Sequence, residues 1–260
     1  MKLLILYSPS PANCFIVSKL SHQFKDIFLV EEQQKPLQLL TRVLKRKKQT
    51  ILNKLNQLLF FIYYFFFLRS KIDSTLDEAF DNKKTHSPDQ KTTLINDQKL
   101  IDSSKSFSPN LILVFGTSLL TDRWHEIGVP IINVHLGIIP KYRGRFCWFW
   151  AMLNEDFDSI GISIHHVTQI PDMGKIVLQD HLDLTKLETV SIAQLLLHLT
   201  FLIDKNIVQA IKIVSNEKIA SSSLDSSQSV YNYPHYFEPG ITDYIKFSII
   251  QKKLSHRFMQ

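Results

Sequence analysis

Asn133 and His135 stand two residues apart at the end of the apolar run Val129-Pro-Ile-Ile132, which reads as a buried strand. Residues at i and i+2 of a strand project from the same face, so a carboxamide donor and an imidazole point together from one sheet edge. A glycine-containing loop, Leu136-Gly-Ile-Ile-Pro140-Lys-Tyr142-Arg143-Gly144, follows at once. Further on, Pro171-Asp172-Met-Gly174 offers an acid on a second loop, able to close the constellation as a third member. Asn, His and Asp can polarise a carbonyl, hold an oxyanion and move a proton without a metal or a covalent intermediate.

Each residue also has a plainer reading. A strand-end Asn can serve a neighbouring loop, and a His on an apolar strand is commonly a core residue. Both on one strand edge, followed by the Pro/Tyr-Arg-Gly loop, favour chemistry. Asp172 alone could be a turn acid before glycine, and Gly144 an ordinary left-handed turn glycine. Arg143 either binds a substrate phosphate, which suits its planar fork, or pairs with a nearby acid. His165 is either a partner standing behind Asp172 or a buried structural residue. His166 alternates onto the opposite face and is read as structural.

Asn133-x-His135, the Leu-Gly-Ile-Ile-Pro-x-Tyr-Arg-Gly loop, a Trp-rich helix, Gly161-Ile-Ser-Ile-His165 and Asp172-x-Gly174 together resemble the 10-formyltetrahydrofolate-dependent formyltransferases. That group includes glycinamide ribonucleotide formyltransferase, the catalytic domain of methionyl-tRNA formyltransferase and the sugar N-formyltransferases. The resemblance covers roughly residues 93–182. It implies a Rossmann-like α/β fold and transfer of formyl from N10-formyltetrahydrofolate to a primary amine, with no metal. By the same resemblance Asn133 and His135 stabilise the oxyanion, and Asp172 relays the amine proton. Gly116, Thr117, Ser118, Leu119 and Leu120 match the place where relatives lay the pterin against the main chain. Gly144, Val167, Gln169 and Ile170 fall to the folate, and Tyr142 and Arg143 to the substrate. Pro171 and Met173 depart from the family pattern and are expected to stiffen or reshape the Asp172 loop. An apolar folate pocket beside Asp172 would raise its pKa.

The loop variant and an insertion at 34–80 look closer to formyltransferases acting on amino sugars or other small amines. A nucleotide-linked aminodeoxysugar is therefore the favoured acceptor. The residues after the core read as helices plus Tyr231-Asn-Tyr-Pro-His-Tyr236, which argues against tRNA. Rival readings on the same scaffold are a methionyl-tRNA formyltransferase-like enzyme, a formyltetrahydrofolate hydrolase, and a non-catalytic protein that binds a membrane or a partner.

The elements that must position these groups read as an α/β chain, a mostly parallel sheet with flanking helices. Lys2–Tyr7, the helical Asn13–Gln23 and Asp26–Val30 form a β-α-β opening without G-x-G-x-x-G, against a dinucleotide site. Leu37–Lys48 is basic and amphipathic. Leu58–Leu68 is eleven consecutive apolar or aromatic residues, below the roughly 20 that span a bilayer. This segment is expected to pack as a helix on the sheet or on a second subunit, giving a homodimer. A peripheral membrane contact through 58–68 is the alternative. Asp81–Lys91 reads as a mobile loop, Thr93–Ile95 as a strand, and Asn96-Asp97 as the cap of a helix to about Ser103. Pro109–Phe115 and Val129–His135 read as buried strands, Phe146–Asn154 as a helix, Ser159–Thr168 and Lys175–Leu182 as a strand pair. Val190–Val214 and Ile241–Arg257 are helical, and the Ser221 to Ser226 region has loop composition. The expected organisation is a catalytic domain over 1–215 and a tail over 216–260 ending in a helix.

At 260 residues, with 45% hydrophobic and 21% charged residues, the chain can bury a full core. A net charge of +6 permits attraction to phosphates of a nucleotide sugar, a nucleic acid or a lipid surface without choosing among them. Two cysteines, Cys14 and Cys147, cannot make a disulfide framework and have no zinc spacing. The start of the chain lacks signal-peptide features, so a cytoplasmic location is expected.

Overall fold

The computed structural model describes residues 1–34, 41, 43–46, 49–81, 87–187, 189–216 and 233–258. Most of the expected helix at Leu37–Lys48, most of the 81–91 loop before its last residues, and the serine-rich segment after Asn216 lie outside the described residues.

Seven strands form one sheet in the order β3-β2-β1-β4-β5-β7-β8. They are β1 (Lys2–Tyr7), β2 (Asp26–Glu32), β3 (Gln90–Thr92), β4 (Leu111–Phe115), β5 (Ile131–His135), β7 (Gly161–His166) and β8 (Ile176–His181). Strands β1 to β5 pair in parallel, and β7 and β8 complete the sheet antiparallel to their neighbours. The expected α/β architecture is thus what the chain adopts. Every residue of β4 is buried, as a continuous apolar run requires when both faces are covered. Helix α1 (Pro11–Gln23) starts at Ser10, whose hydroxyl accepts from the Asn13 amide, with proline at its first position.

The two faces bury different clusters. Leu3, Ile5, Leu113, Ile132, Val134, Ile162 and Ile164 join α1, α5 (Cys147–Leu153) and α6 (Ile192–Asn216) on one side. Leu4, Leu6, Ile112, Val114 and Ile131 join α4 (Gln98–Ser106) and Trp124 on the other. Alternation along β5 therefore puts Asn133 and His135 on the face of Ile131.

Two elements depart from the sequence reading. The strand expected at Thr93–Ile95 lies earlier, at Gln90–Thr92, and Thr93–Ile95 is the turn into α4. A three-residue polar edge strand carries no apolar period, and Ile95 buries its side chain from the turn instead. The insertion is one unbroken helical run, α2 (Ile51–Tyr63), a π-turn (Tyr64–Leu68) and α3 (Arg69–Phe80). By length and composition this run is long and apolar enough to cross a membrane, although the aromatic stretch alone is too short. Its inner edge is nevertheless packed on the domain: Phe60, Ile72, Leu76 and Phe80 are buried.

After α6 the chain returns over the loop that follows β5. β9 (His235–Tyr236) pairs in parallel with β6 (Arg143–Gly144), and the terminal helix α7 (Ile241–Phe258) inserts Phe247 into the main core. There Phe247 stacks on Phe149 at 4.6 Å between ring centroids.

Candidate active site

The carboxyl end of β5 carries the candidate groups, and cross-strand register decides what they meet. Asn133 lies directly opposite His165, and His135 opposite Ser163. Asn133 Nδ2 donates to His165 Nε2 at 3.2 Å, while His165 Nδ1 donates to the His166 carbonyl at 2.9 Å. This pair of bonds fixes the His165 tautomer with its proton on Nδ1. His165 therefore stands behind both residues: it is the partner expected for Asp172, whose Oδ1 lies 3.6 Å from its Nε2, and it also takes the hydrogen bond from Asn133.

Asp172 reaches the same place from the loop after β7. Its Oδ1 is 3.7 Å from His135 Nδ1 and 3.6 Å from His165 Nε2, and its Oδ2 accepts from the Gly144 amide at 2.8 Å. The structure thus brings Asn133, His135, His165 and Asp172 within one cluster. Asp172 holds a left-handed backbone, φ 56°, a conformation Asp tolerates better than most residues. Gly174 lets the loop turn: a Cβ there would sit 1.7 Å from the His166 carbonyl oxygen. Gly144 has φ 105°, and a Cβ would lie 2.2 Å from the Tyr236 carbonyl oxygen, so the tail strand can approach only a glycine.

Electrostatics differ from expectation at the acid. Burial by itself would raise the Asp172 pKa, but His135, His165 and the Gly144 amide together hold it well below the usual carboxylate range. The expected upward shift does not occur, because the neighbours are two imidazoles and an amide donor rather than an apolar wall. Burial lowers the pKa of His135, with Asp172 opposing. At neutral pH the site is a carboxylate beside a neutral imidazole. His135 is buried, and its Nε2 donates to the Tyr142 carbonyl at 3.0 Å, so only Asn133 of the two strand residues is part-exposed.

The loop between β5 and β6 is held by two residues that the sequence reading missed. Ser163 Oγ donates to the Gly137 carbonyl at 2.6 Å and accepts from the Ile139 amide at 3.2 Å. Gln179 Nε2 donates to the Ile139 carbonyl at 2.8 Å and to Ser163 Oγ at 2.9 Å. Both sit at alternate strand positions, a weak signal without knowledge of the register.

Tyr142 does not line an open site: it is buried, stacks on Tyr236 at 5.2 Å and takes a hydrogen bond from Asn154 on its hydroxyl. Burial pushes its phenol up to about 12. Arg143 forms no ion pair with an acid among the described residues. Its guanidinium donates to Met173 Sδ at 3.0 Å and to the Tyr233 carbonyl at 3.2 Å, so Met173, a departure from the family pattern, is what it grips.

Gly116, Thr117, Ser118, Leu119 and Leu120 leave β4 as an open loop in which Gly116 and Leu119 are exposed. Leu120 and Val167 pack against one cluster, on the sheet face that bears Asn133, so the β4 and β7 exit loops share that side. Gln169 and Ile170 are exposed beyond Val167. Two polar residues at the end of β2 brace the loop: Glu32 accepts from the Ser118 amide at 2.6 Å, and Gln34 donates to the Gly116 carbonyl at 3.1 Å.

A separate cavity of about 390 Å³ is lined by Asn53, Asn56 and Gln57 of α2, Trp150, His235 and Glu238. His235 faces the site: its ring would lie 3.0 Å from a Gly144 Cβ. Burial lowers its pKa, with the Asp172 charge opposing. Glu238 pairs with Arg46 and, at 2.9 Å, with Arg145, and these cations hold its carboxyl below the usual range against the effect of burial. Gln57 and Trp150 donate to the Glu238 and Phe237 carbonyls at 2.9 and 2.8 Å, clamping the tail between α2 and α5.

Residues 68–200, just over half of the chain, match the formyl transferase family model. Among curated proteins, methionyl-tRNA formyltransferase of Finegoldia magna is 35% identical over 95 residues, covering 35% of this chain and 29% of that protein. GDP-perosamine N-formyltransferase of Brucella melitensis is 25% identical over 100 residues, 38% of each chain. The chain thus matches well under half the length of these relatives. Among solved structures, glycinamide ribonucleotide transformylase 1 of Symbiobacterium toebii superposes with a TM-score of 0.53 at 13% identity, over 86% of this chain and 92% of that one. The superposition establishes the fold, and the family match establishes the lineage: this chain belongs to the formyl transferase family.

Proposed function

We propose that the chain transfers the formyl group of N10-formyltetrahydrofolate to the primary amine of a small acceptor, an amino sugar carried on a nucleotide, in the cytoplasm. The observation that carries this reading is the Asn133–His165 and Asp172–His135 cluster, an amide donor and a carboxylate–imidazole pair around one point. The donor fits the residues present. Leu120 and Val167 would give a pterin ring an apolar seat beside the 116–120 loop, in which Gly116 and Leu119 are exposed. The Gly116 and Leu119 carbonyls and the Ser118 amide are bonded to Gln34, Asn96 and Glu32.

The amine nitrogen attacks the formyl carbon, and charge collects on the formyl oxygen. Asn133 points a carboxamide donor there, oriented by His165. The nitrogen's proton passes to the Asp172–His135 pair, where the carboxylate steadies the imidazolium that forms on His135. The C–N10 bond then breaks, the proton goes to N10, and tetrahydrofolate and the formamide leave.

The cavity beside His235 supports a small acceptor. Its volume of about 390 Å³ and its polar lining suit a molecule far smaller than tRNA. The test incubates purified protein and N10-formyltetrahydrofolate with GDP-perosamine, with methionyl-tRNA, and with no amine. Formylated sugar in the first arm alone is expected. Formylated methionyl-tRNA would move the acceptor, and formate release at the same rate in all three arms would make the protein a hydrolase.

A further inference from the structure

The helical run from Ile51 to Phe80 has two apolar sides, and only one is used by the fold. Inward, Phe60 meets Phe146, Phe149 and Tyr244 with ring centroids 6.0 to 6.3 Å apart, and Asn56 donates to Thr242 at 2.9 Å. The π-turn adds a residue to the winding, which returns Ile72, Leu76 and Phe80 to the inner side. Outward stand Ile51, Leu55, Leu59, Ile62, Phe66 and Phe67, all exposed, Ile51 at 87% and Phe66 at 69%. Their spacing places about one per turn along a single stripe. A continuous exposed stripe of this kind marks an interaction surface rather than ordinary surface.

Charge selects the occupant. Residues 33–72 contain nine lysines and arginines and no aspartate or glutamate, with Arg46 paired to Glu238 and Arg69 to Asp73. The acids Asp73, Asp77 and Glu78 fall beyond the stripe in α3. The adjacent α7 adds exposed Lys246, Lys252 and Lys253, with exposed Ile245 and Ile249 among them. A second copy docking through this face would bring like charges together. Spanning a bilayer would strip the inner edge from its bonds to α7 and the tail. We propose that this stripe lies flat on an anionic membrane, its aliphatic and phenyl side chains at the headgroup–acyl boundary and its lysines at lipid phosphates. The polar inner edge of the same helix lines the cavity beside His235, so docking holds that cavity close to the membrane surface.

The test is flotation of the full chain with vesicles of phosphatidylcholine alone and of phosphatidylcholine with 30% phosphatidylglycerol, at low and high salt. The expected result is co-flotation with the anionic vesicles only, weakened by salt. A Phe66→Ser/Phe67→Ser variant, checked for an unchanged thermal melt, should partition roughly tenfold more weakly for each phenyl ring removed. Absence of flotation with anionic vesicles overturns the proposal, as does flotation that the double variant leaves intact. A lipid-free dimer that the same variant dissolves also overturns it, by assigning the face to a second copy.

Discussion

Replacing Asp172 with Asn isolates the carboxylate's charge. An Asn side chain keeps the shape, tolerates the left-handed backbone, and can still accept from the Gly144 amide that Asp172 engages at 2.8 Å. The variant loses the negative charge 3.7 Å from His135 Nδ1. In the proposed reaction His135 becomes cationic as the amine proton leaves. At an effective dielectric near 20, a unit charge at that separation stabilises the cation by about 4.5 kcal/mol, on the order of 10³ in rate. Steady-state formyl transfer should therefore show kcat falling about 10³-fold with KM changed little, since the interaction arises only in the transition state. A second readout is specific to the pairing. The Asp172 charge props up the His135 pKa against burial, so NMR titration of His135 should move further down in the variant. A folded Asp172→Asn enzyme within tenfold of wild-type kcat, or an unmoved His135 titration, would refute the reasoning.

The other expectations are briefer. Asn133→Ala should lower kcat roughly 10²–10³-fold by removing the oxyanion donor. His165→Ala, which frees that amide and takes one imidazole from beside Asp172 but leaves the donor in place, should cost less, and steady-state kinetics on both would rank them. Gly144→Ala meets both a φ of 105° and the Tyr236 carbonyl, so it should destabilise by about 1–3 kcal/mol and loosen the tail, read as a lowered Tm and lowered transfer rate. The folded-state pKa of His135 is lowered, so the unfolded chain takes up its proton first as pH falls. His135's contribution to stability is complete above the unfolded value of about 6.5 and is lost below it, down to the folded value. Asp172 contributes above the ordinary carboxylate range and loses this only as pH drops through its depressed folded pKa. Chemical denaturation across pH 4 to 8 should therefore show a shallower acid-side slope for His135→Asn than for wild type.

Much of the site is legible in the sequence because it rests on local rules. The i, i+2 spacing places Asn133 and His135 on one face, the apolar runs give β4 and β5, and Asp172-x-Gly174 announces a loop with an acid. What escaped depends on long-range register. His165 serves Asn133 because β5 and β7 pair with those two residues opposite each other, which no single strand's pattern reveals. The Asp172 pKa follows from that register too: the residues brought beside it are imidazoles. His235–Tyr236 forms a strand only because Gly144 leaves room for it, and two residues carry no periodic signal. β3 was misplaced because an edge strand of Gln90, Lys91 and Thr92 is polar, while the apolar residues beside it belong to a turn.

The central claim is that the Asn133, His135 and Asp172 cluster moves a formyl group onto nitrogen. Supplying donor labelled with carbon-13 in its formyl group, together with an amino-sugar nucleotide, and following the label by NMR tests it directly. The account predicts label in a new formamide on the sugar, at a rate that collapses in Asn133→Ala and Asp172→Asn. Label that appears only as free formate, or enters the amide equally fast in both variants, contradicts it.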